Sequence, residues 1–369
     1  MARIVIDTTK GQYTNTDEFA SGQPGQIVNL MVDEHGTLTS RPGLLLFSDT
    51  AGATAGVGGS DDHSIEAMCP FGDDMILVTK GRRFKRMTSA GVSSDITGTF
   101  LGGFKRPTFF LDDDGSLLVF GGGAPQRITG TLTPSQFAQG LSRNPTHGAV
   151  VDATLVVNDG DTDFMQYSEI AAHQNFVIVG GQAYPGSFRA GRRRDTITAM
   201  RALQNRLFCF GEQSVEVFYG TGGQVIDGIR YAFRSEDEPM QSELGAAYSL
   251  AEVDSTLWWV DGSRRLVRLE GRGTRPVSLP VEAQIQAFST FSDCITHNVE
   301  MQGVHLILLH FQDSGLTLVY DYVRNLWSEW RLWSLTTADW TEMPIRAYAY
   351  HPRWNKHLCA GQAASTGRV

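Results

Sequence analysis

The stretch CITHNVEMQGVHLILLHFQDSGLTLVYDYVRNLWSEW, from Cys294 to Trp330, decides the fold class. Apolar runs of strand length alternate in it with turns that contain Gly, Asp, Asn and Ser. This pattern is typical of antiparallel strands joined by hairpins. One blade of a β-propeller takes roughly 40 to 50 residues, so the stretch has the size of one blade.

Similar units recur along the chain, each with an apolar strand, a polar turn and a second apolar strand. Their spacing is irregular, and they lack the Trp-Asp signature of the familiar propeller repeats. We predict an all-β, β-propeller-like fold of six or seven irregular blades with inserted loops and short helices. The central strands of the units are predicted near Met75, Leu117, Phe176, Leu207, Leu257, Leu306 and Leu358.

The ends of the chain suggest a division into two parts. We interpret residues 1–50 as an N-terminal extension with the start of the first blade, and residues 51–369 as the propeller-like body. The last unit stops where the repeat requires a further strand, so either the N-terminal residues complete this blade or the native chain continues past Val369. Short helices are expected at Pro134–Leu141 and Leu279–Phe288.

The composition favours a β-rich globular protein without affinity for nucleic acid. The chain has 40 glycines, 41% hydrophobic residues and a net charge of −9. Proteins that bind free nucleic acid normally carry a basic excess. If DNA is nearby, we therefore expect it to pass without sequence-specific binding. No apolar run has the length of a membrane helix, about 20 residues, and the start MARIVIDTT lacks a secretory leader. We expect no membrane anchor and synthesis in a cytoplasm.

No catalytic or cofactor motif is present. The sequence contains no G-x-S-x-G elbow, H-E-x-x-H pair or Walker loop, and we expect no catalytic residues, no cofactor and no metal. The four cysteines are far apart and lie in or beside apolar runs, which predicts reduced thiols in the core. They are Cys69, Cys209, Cys294 and Cys359.

One acidic segment resembles the first half of a calcium loop, with Asp159, Asp161 and Asp163 at alternate positions. Phe164 stands where such a loop needs Gly for its sharp turn, and Ile170 stands at the twelfth position in place of Glu. We therefore predict a solvated acidic loop rather than a calcium site.

Two basic clusters stand out against the acidic background, and both are expected on turns between strands. They are either solvated loops or contacts to a neighbouring subunit, a partner or phosphate, because Arg suits bidentate ionic pairing across an interface. The first cluster is Arg82, Arg83, Lys85 and Arg86, and the second is Arg189, Arg192, Arg193 and Arg194.

Four segments spread over most of the chain resemble a viral family, the packaged-DNA stabilisation or tail hub (nozzle) proteins of short-tailed bacteriophages. They are NLMVDEHGTLTSRPGLLLF (29–47), DSTLWWVDGSRRLVRL (254–269), LPVEAQIQAF (279–288) and LTLVYDYVRNLWSEW (316–330). The N-terminal progression of that family is matched by Asn29, Leu30, Gly36, Leu38, Arg41, Pro42, Gly43 and Leu44. Its later part, a Val-Tyr-Asp strand followed by a Trp strand, is matched by Val319, Tyr320, Asp321, Trp327 and Trp330.

The resemblance implies a structural virion protein with a β-propeller. Such a protein forms a homohexameric ring in the tail, docks below the portal-adaptor (head–tail connector) protein, and carries a tail tip, needle or fibre protein. The ring lines or closes the DNA channel and retains the packaged genome until ejection. Synthesis would take place in the cytoplasm of the host bacterium.

A propeller enzyme, or a glycan- or ligand-binding module, is the alternative. Those proteins place convergent carboxylates, Arg or His at the central channel on inner strands. The inner strands predicted here are mostly apolar or have small side chains, which disfavours this alternative. A cellular protein-interaction propeller is disfavoured by the missing regular motif.

Overall fold

The structure is a computed structural model. It describes residues 28–32, 37–42, 44, 64–97, 101–137, 141, 144–176, 186–191, 195–226, 229–236, 240, 242–301, 303–334, 338–343 and 345–360. Among these residues, no helix has both the length and the apolar character needed to span a membrane.

The described chain is nearly all β and has the arrangement of a six-bladed β-propeller, as predicted. The sheets, called blades A to F, each contain four or five consecutive antiparallel strands. Blade A comprises β3 (Ile65–Phe71), β4 (Asp74–Thr79), β5 (Phe84–Met87) and β6 (Ser93–Asp95). Blade B comprises β7 (Thr108–Leu111), β8 (Leu117–Phe120), β9 (Gln126–Ile128) and β10 (Pro134–Gln136). Blade C comprises β11 (Gly148–Val151), β12 (Thr154–Asn158), β13 (Phe164–Tyr167) and β14 (Ser187–Arg189).

The remaining blades follow in chain order, and two short hairpins flank the series. Blade D comprises β15 (Ile197–Leu203), β16 (Arg206–Gly211), β17 (Val215–Ile226) and β18 (Ile229–Ser235). Blade E comprises β19 (Ala251–Val253), β20 (Thr256–Val260), β21 (Leu266–Glu270) and β22 (Gly273–Pro276). Blade F comprises β23 (Cys294–Met301), β24 (Val304–Phe311), β25 (Leu316–Asp321), β26 (Leu326–Ser334) and β27 (Asp339–Glu342). The hairpins pair β1 (Leu30–Val32) with β2 (Leu38–Ser40), and β28 (Ala347–His351) with β29 (Lys356–Ala360).

The predicted central strands are confirmed in five blades. The second strands of blades A, B, D, E and F contain Met75, Leu117, Leu207, Leu257 and Leu306, and each of these side chains is buried. Leu358 lies in the C-terminal hairpin. Strands buried on both faces read as continuous apolar runs, and this is why these positions were visible in the sequence.

The prediction was wrong for blade C. Phe176 was expected in a central strand, but it lies outside the named strands. The second strand of this blade is β12 instead. Its hairpin turn consists of Asp152 and Ala153, which have φ of 49° and 54°. Two consecutive positive φ values define the type I′ turn, which normally has Asn or Gly, so the sequence carried no clear turn signal here.

One of the two predicted helices is confirmed. Leu279–Val281 forms a 3-10 turn that leads into helix α1, Glu282–Gln286, and Ile285 is buried. The other prediction was wrong, because Pro134–Gln136 is strand β10 and pairs with β9. It is an edge strand, where a proline is tolerated because one side of the strand needs no ladder hydrogen bond.

The chain forms two compact units. The first contains residues 1–45 and 245–345, with the hairpin β1–β2 and blades E and F around one core that includes Trp258, Leu309 and Trp327. The second contains residues 46–244 and 346–369, with blades A to D. In this unit the hairpin β28–β29 shares a core with blade A. The proposed division of the sequence at residue 50 stays a prediction.

Candidate functional site

The hairpin β1–β2 is attached to blade F through Asn29, the residue before β1. Its backbone N–H donates to the carbonyl oxygen of Glu329 at 2.8 Å, and its side-chain Oδ1 accepts from the N–H of Arg331 at 2.8 Å. Asn29 has φ of 59°, a left-handed conformation in which Asn is enriched among non-glycine residues. Asn29 thus joins the hairpin β1–β2 to strand β26 through its backbone and its side chain.

Arg41 completes the attachment from the other side of the hairpin β1–β2. Its Nε donates to Asn29 Oδ1 at 2.9 Å, and its Nη2 donates to the carbonyl oxygen of Arg331 at 2.9 Å. Glu329, fully buried in β26, also forms an ion pair with Arg331. We call Asn29, Arg41, Glu329 and Arg331 the N-terminal clip.

The clip places the segment around Asn29 and Arg41 next to the strand that contains Trp327 and Trp330. Trp330 lies between the two β26 residues of the clip and is buried. On the same sheet Tyr320 stacks on Trp327, with ring centroids 4.7 Å apart, and Asp321 accepts from the N–H groups of the following turn. The N-terminal residues and the Val-Tyr-Asp and Trp strands therefore form one structural element.

The first basic cluster is only partly on a turn. Arg82 lies in the turn between β4 and β5, with an Nη2 atom 3.8 Å from a carboxylate oxygen of Glu66. Arg83, the next residue, lies at the end of that turn. The expectation of a turn was wrong for Lys85 and Arg86, because both belong to strand β5, which the sequence pattern did not separate from the turn.

Two cations of this cluster pair with carboxylates of the same blade. Lys85 is buried and its Nζ lies 2.5 Å from Asp95. Arg86 Nε lies 2.9 Å from Asp74. A buried lysine that is already paired within the chain is a poor candidate for an ion pair with another subunit. Its charge is kept out of water, and the carboxylate that compensates this cost would have to be replaced by one from the other subunit.

The second basic cluster is described only at its first residue. Arg189 ends strand β14 rather than lying on a turn; its guanidinium lies 3.7 Å from Asp163 and 3.7 Å from the ring centroid of Phe164. Arg192, Arg193 and Arg194 lie outside the described residues. Their contact to a neighbouring subunit stays a prediction.

A surface cavity of about 920 Å³ lies beside blade B. It is lined by Asp112, Asp113, Asp114, Gln136, Ala171, Ala172, His173, Gln174 and Asn175. Asp114 forms an ion pair with Arg127 and accepts from Ser116 Oγ at 2.5 Å. The hydrogen bonds from Ser116 and Arg127 and the charge of Arg127 outweigh desolvation and lower the pKa of the Asp114 carboxyl. The wall of the cavity is therefore acidic.

The buried pair in this wall has a positioning role. His173 Nδ1 contacts the Asp112 carboxylate, and its Nε2 lies 3.2 Å from the carbonyl oxygen of Ala153. Both ring nitrogens face acceptors of this chain, so the ring is held by internal contacts. The ring connects the β7–β8 loop to the first hairpin of blade C.

The acidic segment after β12 is occupied by contacts within the chain. Asp161 lies 2.9 Å from the ammonium of Lys105, and Asp163 faces Arg189. Across the described part of the chain, no three His, Cys, Asp or Glu side chains are grouped as metal ligands.

The four cysteines are free thiols. Cys209 and Cys294 are buried, whereas Cys69 and Cys359 are half-buried. Burial raises the pKa of Cys69 to about 12 and the pKa values of Cys209 and Cys294 well above the usual range. Because the thiolate is the nucleophile, these three residues are unsuited to nucleophilic catalysis.

Sequence reasoning missed Phe104, which has 96% of its surface exposed at the tip of the loop before β7. The only sequence signal is the pair Gly102–Gly103 before it and the run Gly121–Gly123 further on. Their packing against each other is non-local and was not predictable from either segment alone.

Comparisons with known proteins bear on the fold. No protein-family model matches the chain, and no curated protein matches it. The extracellular domain of a hybrid two-component system protein from B. thetaiotaomicron is similar over 92% of this chain and 45% of that chain, with a TM-score of 0.50 and 10% identity. The WD40 β-propeller domain of Doa1 matches 88% of this chain and 95% of that chain, with a TM-score of 0.48 and 10% identity. Virginiamycin B lyase from Staphylococcus aureus is similar over 76% of this chain and 84% of that chain, with a TM-score of 0.43 and 12% identity. At such identities a likeness concerns the fold alone.

Proposed function

We propose that this chain is a structural virion protein of a short-tailed bacteriophage, the tail hub or nozzle. In this role it forms a homohexameric ring below the portal-adaptor protein, and a tail tip, needle or fibre protein attaches below the ring. The ring lines or closes the DNA channel and retains the packaged genome until ejection. The chain is made in the host cytoplasm and has no catalytic role.

The N-terminal clip is the observation that carries this proposal. Two of the segments on which the resemblance rests lie in contact, because the N–H of Asn29 donates to the carbonyl oxygen of Glu329 at 2.8 Å. This contact supports the proposal, because segments that a family shares as one structural element are expected to lie together in the fold.

The charge distribution supports the same role. The net charge is −9, and cations such as Lys85, Arg86 and Arg189 are paired with carboxylates of this chain. Such a surface offers little to neutralise phosphates, which supply most of the affinity of non-specific DNA binding. A tail channel needs this property, because DNA has to slide through it.

The test is a phage in which the reading frame of this chain carries a stop codon, grown with and without a complementing plasmid. We expect heads that package DNA but do not retain it, together with particles that lack the tail below the portal-adaptor. Restored DNA retention with the plasmid is the matched control. Particles with complete tails and full genomes in the absence of this chain would contradict the proposal.

The arginines outside the described residues offer a finer test of the ring. Replacement of Arg192, Arg193 and Arg194 by Ala in the complementing gene is expected to reduce tail assembly, since Arg suits bidentate pairing across subunit interfaces. Unchanged assembly would remove these residues from the interface and leave the ring itself untested.

A further inference from the structure

Phe104 is the most exposed of the large hydrophobic side chains that the structure describes, at 96%. Exposed apolar side chains are common on protein surfaces, so exposure by itself assigns no role. The loop that carries this ring, however, has a construction that ordinary surface loops do not need.

The loop is held by glycine-to-glycine backbone contact. A Cβ added to Gly103 would lie 2.3 Å from the carbonyl oxygen of Gly121, and one added to Gly123 would lie 2.3 Å from the N–H nitrogen of Gly103. Lys105 N–H also donates to the carbonyl oxygen of Gly121 at 3.0 Å. The two backbones approach more closely than any side chain allows, and the tip is fixed on both sides of Phe104.

Side chains from two neighbouring blades fix the loop further. Arg82 of blade A donates to the carbonyl oxygen of Lys105, and the Lys105 ammonium lies 2.9 Å from Asp161 of blade C. An aromatic ring presented on a rigid support loses little conformational entropy on binding, which is the property of an interface anchor. We call Phe104 and Lys105 the knob.

The acidic cavity lies at the opposite end of the same strand. Lys105 precedes β7, whereas Asp112, Asp113 and Asp114 follow it. The cavity, about 920 Å³, contains apolar surface from Ala171 and Ala172 beside the exposed carboxylate of Asp113. It combines space for a ring with a negative rim that complements a lysine.

We propose that the knob of one copy inserts into the acidic cavity of a second copy of this chain. Phe104 enters beside the two alanines, and the Lys105 ammonium, half-exposed in its surface pair with Asp161, exchanges this partner for Asp113 of the second copy. Knob and cavity are different surfaces at opposite ends of β7, so each copy offers one of each, and insertion joins two copies reciprocally or continues from copy to copy. This inference does not depend on the proposed viral function.

A single-stranded nucleic acid is the competing occupant of an exposed aromatic ring flanked by cations. The charges disfavour it. The whole chain has a net charge of −9, whereas binding to phosphates is driven by a basic excess. A protein surface with carboxylates on it is the better match.

The first experiment compares self-association of the full-length chain with that of Phe104→Ala by sedimentation equilibrium over a wide concentration range. We expect the apparent Kd to rise at least about 10-fold, as for loss of one aromatic anchor. Leu279→Ala, which removes another exposed apolar side chain (68%), is the matched control and should leave the Kd unchanged. A wild-type chain that remains monomeric at every concentration would overturn the proposal.

The second experiment identifies the cavity as the receptor of the knob. Lys105→Glu and Asp113→Lys should each weaken self-association, whereas an equimolar mixture should restore association with the two variants alternating, because both mixed contacts join opposite charges. Mixed species no more abundant than for either variant alone would refute the pairing. Association of the wild-type chain with a fluorescent single-stranded oligonucleotide, lost in Phe104→Ala, would replace the proposal with nucleic-acid binding.

Discussion

Blade F and blade C have their strands in the same sequential order, yet different interactions hold them. The first four strands of blade F contain 8, 8, 6 and 9 residues, and those of blade C contain 4, 5, 4 and 3. Long strands bury large side chains, among them Trp327 and Phe311 in blade F. Hydrophobic burial is therefore the main stabilising contribution there.

Blade C relies more on buried polar side chains that bind the backbone. Asn158 Oδ1 accepts from the N–H groups of Thr146 and His147, and Ser168 Oγ accepts from the N–H of Leu155. These side chains replace ladder hydrogen bonds that short strands do not supply, because a buried backbone N–H needs a partner. Blade C also buries apolar side chains such as Val156 and Met165, so the comparison shows that its short strands add specific hydrogen bonds to hydrophobic burial.

The largest effect is expected in blade F. Trp327 is 1% exposed, stacks on Tyr320, and donates from Nε1 to the carbonyl oxygen of Val277 at 3.2 Å. We expect Trp327→Ala to lower the free energy of unfolding by about 3–5 kcal/mol, measured by urea denaturation. Trp340→Ala is the control on the same sheet, because Trp340 is 44% exposed, and it should cost much less. Equal losses for the two variants would break the account of blade F.

A smaller effect is expected in blade C. Asn158→Ala leaves the N–H groups of Thr146 and His147 without their acceptor, and an unsatisfied buried group costs about 1–3 kcal/mol. Urea denaturation measures the loss, with hydrogen exchange at Thr146 and His147 as a local readout. Gln174→Ala removes an exposed amide hydrogen bond and should be nearly neutral. Unchanged exchange at both amides in Asn158→Ala would show that the side chain is not what holds them.

The N-terminal clip should contribute less than either blade core. Asn29→Ala removes the acceptor for Arg331 N–H and Arg41 Nε, and we expect a loss of about 1–2 kcal/mol from two hydrogen bonds. Asn29→Asp keeps an oxygen acceptor and tolerates the left-handed backbone, so its stability should stay close to the wild type. If Asn29→Asp were as unstable as Asn29→Ala, the hydrogen bonds to Oδ1 would not explain the clip.

The smallest effect at neutral pH is expected from His147 of blade C, whose contribution to stability changes only as the pH falls. Burial, followed by the positive charge of Arg201, lowers the pKa of His147 to about 4 from the ordinary value of 6.5. Between these values the unfolded chain binds the proton and the folded chain does not, so the stability contributed by neutral His147 is lost as the pH falls from 6.5 towards 4. Urea midpoints across this range should fall less steeply in His147→Gln. An identical pH slope in the variant would assign the acid sensitivity to other groups.

The sequence predicted blade F well because its turn signals are local. Gly303 and Gly315 have positive φ, and both lie where the sequence placed a turn between apolar runs. Blade C has Asp152 and Ala153 at the equivalent turn, and a type I′ turn without Gly or Asn gives no recognisable pattern. Its outermost strand, β14, also follows a long excursion from β13, which hides the repeat.

The candidate sites depended more strongly on distant parts of the chain. Arg41 was visible as part of a motif, but its partner Arg331 lies 290 residues away, and no local rule connects them. The exposure of Phe104 requires the packing of Gly103 against Gly121. Charge clusters, in contrast, were visible in the sequence, but which cations pair with carboxylates within the chain was not.

Cryo-electron microscopy of purified phage particles, with the symmetry of the tail resolved, tests the central claim most directly. We predict six copies of this propeller in a ring on the tail axis, below the portal-adaptor and above the tail tip. In each copy the N-terminal clip should join the hairpin β1–β2 to β26. Absence of the chain from the particles, or a position away from the tail axis, would contradict the account.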